Sequence, residues 1–120
     1  MALQHRRDLL ALLYRKKFSQ KMFEECLEAC EKQLEGQQVI IAMLSESDSL
    51  IYERSELAQI LCHKSKVMER LGKPLEEIME VIDEGIGLEE LNANLTGGPV
   101  SQWLPTLLHA KASILQVSDG

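Results

Sequence analysis

Three cysteines and one histidine come closest to forming a reactive or metal-binding set. Cys26 and Cys30 lie one helical turn apart, and Cys62 is followed directly by His63. Thiolate and imidazole groups are ligands that suit zinc, but structural zinc sites usually hold paired ligands in tight turns. Cys26 and Cys30 instead fall on an apolar stripe, where cysteine behaves as a small hydrophobic residue. We therefore predict buried thiols, with no bound metal and no cofactor.

Catalytic groups of other kinds are also poorly arranged. His5, His63 and His109 are far apart in the chain, and no serine or cysteine stands in a nucleophile motif. Paired acidic residues can perform acid–base chemistry, but on helices such charge runs are usually solvated faces. These pairs are Glu24-Glu25, Glu76-Glu77, Asp83-Glu84 and Glu89-Glu90. The residue types and their spacing predict a protein that is not an enzyme.

The charge balance argues against nucleic acid as a partner. The 120 residues carry a formal net charge of -6, whereas nucleic-acid binders need a basic surface that displaces counterions from phosphates. One local group of basic residues is interpreted as a solvated face of the first helix. Its members are His5, Arg6, Arg7, Arg15, Lys16 and Lys17.

A membrane location is disfavoured as well. No segment approaches the run of about 20 apolar residues that crosses a bilayer, and the first residues lack an apolar signal core. The odd number of cysteines fits a reducing compartment better than a disulfide framework. We predict a cytoplasmic or nuclear protein without a membrane partner.

Composition predicts one all-α domain that spans residues 1–120, alone or within a larger repeat array. The 45% hydrophobic and 27% charged content is typical of globular proteins. Aromatic residues make up only 4%, while leucine, alanine, glutamate and lysine are plentiful, a balance that favours helix over sheet.

Apolar residues at three- and four-residue intervals predict two N-terminal helices. The first runs from about residue 3 to residue 17, and Ser19 is predicted to cap the second. The second continues to about Leu44 because its apolar pattern contains no proline, with Gly36 tolerated at a cost of about 1 kcal/mol. A helix break at Gly36 is the main alternative.

The rest of the chain is predicted to hold three further elements. A third helix covers 50–71 and ends at Gly72, Lys73 and Pro74, because glycine suits the left-handed position after a helix and proline prevents continuation. A fourth helix covers 75–86. Residues 87–99 are predicted to form a loop with one short turn at Leu88 to Leu91, followed by a last helix over 100–117.

The segment from Leu57 to Leu88 resembles a tetratricopeptide repeat in its order of large and small positions. The matching residues are Leu61, Ser65, Met68, Gly72, Leu75, Ile78, Ile82 and Gly85. The resemblance implies a right-handed superhelical stack of antiparallel helix pairs, with about five helices here. It also implies that the first helices of the pairs line a groove that binds an extended peptide or a helix of another protein.

Three basic residues are the first candidates for contacting such a partner. Arg7, Lys66 and Lys111 lie on the first helices of successive pairs, whose outward residues share one surface in a stack. Their charge would attract an acidic segment, with the attraction screened by salt. Some members of the family clamp a terminal carboxylate, but the groove candidates Asp8, Cys62 and Lys66 do not reproduce that site.

An apolar segment supplies the second group of candidates. Residues 39–44 are apolar nearly all round and must be buried by this domain or by another molecule. Ile40 and Ile41 are therefore predicted to contact a partner, together with Trp103, whose alternative role is a core anchor. The main prediction is a non-catalytic protein-interaction scaffold. The alternative is a compact helical bundle that forms a homodimer through 39–44.

Overall fold

The protein is described here by a computed structural model. It places the backbone of residues 2–44, 48–96 and 103–119, and the side chains of 8–44, 50–94 and 104–116. Five helices account for nearly all of these residues: α1 (Ala2–Ser19), α2 (Phe23–Ala42), α3 (Asp48–Arg70), α4 (Leu75–Thr96) and α5 (Trp103–Asp119). The described ranges contain no strand. The predicted all-α fold is confirmed.

Each helix packs against the next one along the chain, and α3 also contacts α5. Contacts between opposite ends make neighbouring helices antiparallel. Late in α2, Gln37 donates hydrogen bonds to Glu53 early in α3, and late in α4, Asn92 donates to the carbonyl of Ile51 at 3.0 Å. The right-handed superhelical stack stays a prediction.

Two helices end in the same backbone motif. After α3, the N–H of Gly72 donates to the carbonyl of Glu69 and that of Lys73 to the carbonyl of Met68, with Gly72 in the left-handed region at φ 71°. These paired bonds satisfy the last carbonyls of the helix. The predicted boundary at 72–74 is confirmed.

The end of α1 repeats this motif without a glycine. Lys21 takes the left-handed position at φ 58°, and its N–H and that of Met22 donate to the carbonyls of Phe18 and Lys17. The prediction that Ser19 caps α2 is wrong. Ser19 is the last residue of α1, and its hydroxyl donates to the carbonyl of Lys16 at 2.8 Å.

Helix α2 passes through Gly36 without a break, as preferred from the sequence, and ends at Ala42. The predicted loop over 87–99 is wrong for its described part, because α4 continues to Thr96. Packing explains this difference, since Ile86, Glu89 and Asn92 follow one another at three-residue spacing and are all buried. Tertiary contacts thus outweigh the low helix propensity of glycine. Residues 97–99 lie outside the described part of the chain.

The hydrophobic core has two connected parts. The larger part joins α3, α4 and α5, and its fully buried side chains include Leu61, Ile78, Ile82 and Leu107. The smaller part holds Tyr14 of α1 between residues of α2 and α3. Its other buried members are Cys26, Ala29, Cys30 and Val67. Among the described helices, none combines the length and the apolar character needed to span a bilayer.

Candidate functional site: a cleft between the first and third helices

Side chains of α1 and α3 line a cleft of about 750 Å³. We call it the α1–α3 cleft, and its lining residues are Tyr14, Phe18, His63, Lys66, Glu69 and Arg70. Three of the six carry rings and two carry positive charges. Both helices supply these residues from their C-terminal halves, where the smaller core holds α1 against α2 and α3.

Stacked rings form the wall of the cleft. The phenol ring of Tyr14 and the imidazole of His63 have centroids 4.8 Å apart and planes 11° apart. Phe18, one turn after Tyr14, places its ring centroid 5.7 Å from that of Tyr14. Phe23, at the start of α2, meets Phe18 edge-on at 5.5 Å. These ring contacts, one stacked, one tilted and one edge-on, pack the aromatic side chains closely against one another.

The charges of the cleft are carried by exposed side chains around this wall. Burial, together with the nearby positive charges of Lys66 and Arg15, lowers the pKa of His63 to about 4, so the imidazole is neutral at pH 7. Burial raises the pKa of the Tyr14 hydroxyl well above its ordinary value. Lys66 and Arg70 therefore supply positive charge, opposed by the carboxylate of Glu69.

A second, smaller pocket of about 240 Å³ also has His63 in its lining. We call it the Gln33 pocket. Its lining residues are Asp8, Ala11 and Arg15 of α1, Gln33 of α2, and Glu56, Gln59, Ile60 and His63 of α3. Because His63 lines both spaces, the cleft and the pocket are adjacent. Together they place polar groups of both charges along the surface between α1 and α3.

The three cysteines lie in the protein interior as free thiols. Burial raises the pKa of each thiol, that of Cys30 to about 12, so they are protonated and poorly nucleophilic at pH 7. No three metal-binding side chains of the described residues come together to hold an ion. Cys62, a groove candidate from the sequence, is instead buried in the main core.

The predicted basic residues do not all lie in one place. Lys66 lines the α1–α3 cleft. Lys111 of α5 forms an ion pair with Asp83 of α4, with 2.8 Å between Nζ and Oδ1, and it is absent from the cleft lining. The side chain of Arg7 lies outside the described residues.

The apolar candidates divide in the same way. Ile40 is only 2% exposed, because the domain itself buries this side chain, and its contact with a partner stays a prediction. Ile41 is half-buried and packs against the main core. The exposed side chains of this segment are those of Val39 and Met43, at 48% and 66%. The side chain of Trp103 lies outside the described residues.

Several lining residues carried no signal of their own in the sequence. Tyr14 and Phe18 share a helix face, but this spacing is equally typical of core residues. His63 is 49 positions from Tyr14, and only the packing of α3 beside α1 brings the two rings together. Gln33 falls within the apolar stripe of α2. A polar residue in such a stripe indicates a buried group that needs a hydrogen-bond partner, and this was the only hint of its role in the sequence.

Comparison with protein-family models, with curated proteins and with solved structures finds no match for this chain.

Proposed function

We propose that this protein is a non-catalytic interaction module whose α1–α3 cleft binds a peptide or helix of a partner protein through an acidic side chain. In this proposal it is a divergent relative of the tetratricopeptide-repeat proteins and works in the cytoplasm or nucleus. The observation that carries the proposal is the meeting of a ring wall, formed by Tyr14, Phe18 and His63, with the cations of Lys66 and Arg70 in one open cleft.

Two physical arguments support this assignment. Aromatic and arginine side chains dominate the binding energy of protein interfaces, because they bury large areas and still offer polar groups. The cleft has both types on a preformed surface, which limits the entropy lost on binding. Lys66 and Arg70 favour a carboxylate at that position, and on a chain of net charge -6 they mark a local exception.

A selection experiment tests the proposal. Random short peptides displayed on phage are selected against the chain, and the enriched peptides are synthesised and measured by fluorescence anisotropy. We expect acidic residues to be enriched. The double variant Lys66→Glu with Arg70→Glu should bind these peptides at least about tenfold more weakly at low salt, because a like-charge contact replaces an attraction.

A matched variant controls for the change in net charge. Lys16 and Lys32 are exposed and lie outside the cleft lining, so Lys16→Glu with Lys32→Glu should leave peptide affinity nearly unchanged. Equal losses in the two double variants would point to a general charge effect. Undiminished binding by the cleft variant would reject the cleft as the binding surface.

One observation favours homodimerisation as a second candidate function. Val39 and Met43 lie one turn apart and are both exposed near the end of α2, and paired apolar side chains of this kind form the centres of interfaces. Light scattering over a wide concentration range tests it. A dimer that dissociates on Val39→Glu with Met43→Glu supports this candidate, whereas a monomer at high concentration rejects it.

A further inference from the structure

We infer that the Gln33 pocket binds an arginine side chain of the same partner segment that places its acidic side chain in the α1–α3 cleft. This inference rests on the proposed function, because it extends the binding surface past the ring of His63. The partner motif would then contain an acidic residue for the cleft and a basic residue for the pocket, two spaces that share the lining residue His63.

A buried acceptor gives the first reason. Gln33 is only 4% exposed, and its Oε1 is buried without a hydrogen-bond partner among the described residues. Buried polar atoms in proteins are nearly always hydrogen-bonded, since a missing bond leaves the full cost of desolvation. Gln33 lines the pocket, so a turn of its side chain would bring this oxygen to a ligand that carries an N–H donor.

Gln37 shows what the same side chain does when the fold itself provides partners. It lies one turn after Gln33 on the buried face of α2. Its Nε2 donates to the carbonyl and to the carboxylate of Glu53, at 2.8 Å and 2.7 Å. The two glutamines share a helix face and a degree of burial, but the side-chain oxygen of Gln33 has no partner among the described residues, and Gln33 lines the pocket. This contrast separates a structural glutamine from one that is available to a ligand.

The charges of the pocket favour a cation. The carboxylates of Asp8 and Glu56 line it, and Arg15, the one cationic residue in its described lining, is exposed and can turn toward water. His63 adds no charge at neutral pH, because burial depresses its pKa to about 4. A cation in the pocket therefore meets two negative groups and one acceptor oxygen.

The shape of the lining favours a guanidinium over an ammonium group. A guanidinium is planar, stacks on rings and presents several N–H donors in fixed directions. His63 supplies a ring to the lining, while Glu56 of α3 and Gln33 of α2 supply acceptor groups from two different helices. An ammonium group is a compact charge that gains little from such a stack.

Binding of methylguanidinium provides a direct test, because this probe carries the proposed group without a peptide. The chain is labelled with nitrogen-15 and titrated with methylguanidinium chloride while NMR shifts are followed. We expect a saturable shift of the Gln33 side-chain amide and of the backbone amides of Glu56 and Gln59. Methylammonium chloride and neutral methylurea at equal ionic strength should cause much smaller shifts.

Variants separate the pocket from the fold and from the cleft. Gln33→Met and Glu56→Gln should each weaken probe binding about tenfold, the loss expected for one charge-assisted hydrogen bond. Gln38→Met changes an exposed glutamine of the same helix and should leave probe binding unchanged. Lys66→Glu with Arg70→Glu should weaken the binding of acidic peptides at least about tenfold but retain that of the probe.

Each outcome decides the inference independently of the proposed function. Shifts that are equal for methylurea, unsaturable, or kept in Gln33→Met would overturn it, and equal shifts for methylammonium would reject the preference for arginine. Peptides that need Lys66 and Arg70 but bind Gln33→Met normally would leave the proposed function intact and reject the pocket. Probe binding without any selected peptide would support the pocket and reject the proposed function.

Discussion

The phenol ring of Tyr14 lies almost parallel to the imidazole of His63, with ring centroids 4.8 Å apart and planes inclined by 11°. This contact joins the first helix to the third, and its His63 ring lines both the α1–α3 cleft and the Gln33 pocket. Tyr14 is only 6% exposed, so its ring belongs to the smaller core as well as to the cleft. The proposed binding surface and the stability of the domain therefore depend on the same side chain.

Removal of the Tyr14 ring should destabilise the protein strongly. Tyr14→Ala is expected to lower the free energy of unfolding by about 3–5 kcal/mol, as for other buried aromatic residues. Tyr14→Phe keeps the ring and should cost no more than about 1.5 kcal/mol, since the hydroxyl makes one long bond, 3.5 Å, to the carbonyl of His63. Urea denaturation measures both values. A similar cost for the two variants would contradict the stacking role.

His63 should make stability depend on pH between about 6.5 and 4. Burial lowers the pKa of this imidazole from 6.5 to about 4, so in this interval the unfolded chain binds a proton that the folded chain does not. Stability therefore rises with pH through the interval and is lost as pH falls. The loss is on the order of 1–3 kcal/mol, because one pKa unit corresponds to about 1.4 kcal/mol and His63 keeps some solvent contact.

The variant His63→Phe isolates this contribution from that of the carboxylates. It retains a ring beside Tyr14 but cannot take up a proton. Urea denaturation of both proteins at several pH values should show a smaller loss of stability in the variant between pH 6.5 and pH 4. Parallel curves for the two proteins would show that His63 titrates normally in the folded state.

Two glycines of α4 should respond in opposite ways to alanine. A Cβ atom at Gly87 would meet no atom within 4 Å, whereas one at Gly85 would lie 3.0 Å from Cδ1 of Leu107. Gly87→Ala should raise stability by about 0.5–1 kcal/mol, because alanine loses less conformational entropy in a helix. Gly85→Ala should lack this gain, since overpacking against the fully buried Leu107 costs about 1–3 kcal/mol. Thermal unfolding of the two variants compares them, and equal melting temperatures would contradict the close approach of α5.

Helix boundaries show how far sequence reasoning reaches. Gly72 and Pro74 have known conformational preferences, so the end of α3 could be predicted from them. The extension of α4 past Gly87 could not be predicted from the sequence. It depends on the buried side-chain amide of Asn92, which donates a hydrogen bond to the backbone of α3. Lys21 occupies a left-handed position that its residue type does not favour, so the sequence did not indicate the turn after α1.

The candidate site was predictable only in part. Lys66 could be placed on an outward helix face from spacing alone, and it lines the cleft. Ile40 was predicted to contact a partner. Because residues 39–44 are apolar nearly all round the helix, periodicity could not tell which of these side chains the domain itself buries. Gln33 and Gln37 made the apolar periodicity of α2 harder to interpret, because these polar residues lie on its buried face. Contacts between distant segments, such as that of Tyr14 with His63, cannot be read from one sequence.

The left-handed turn after α1 offers a stabilising substitution. Lys21 has φ 58°, a conformation that costs a residue with a Cβ about 1–2 kcal/mol and costs glycine little. Lys21→Gly should therefore raise the free energy of unfolding by about 1 kcal/mol. The neighbouring Gln20 is not among the residues with positive φ, so Gln20→Gly should bring no gain. Denaturation of both variants tests this, and a loss of stability in Lys21→Gly would contradict the observed turn.

The footprint of a selected peptide on the nitrogen-15-labelled chain tests the central claim most directly. NMR shifts on peptide addition should be largest at Phe18, Lys66, Glu69 and Arg70, which line the α1–α3 cleft, and should disappear in the variant Lys66→Glu with Arg70→Glu. That result would place the partner where rings and cations meet. Shifts concentrated at Val39 and Met43, with the cleft residues unmoved, would contradict the account.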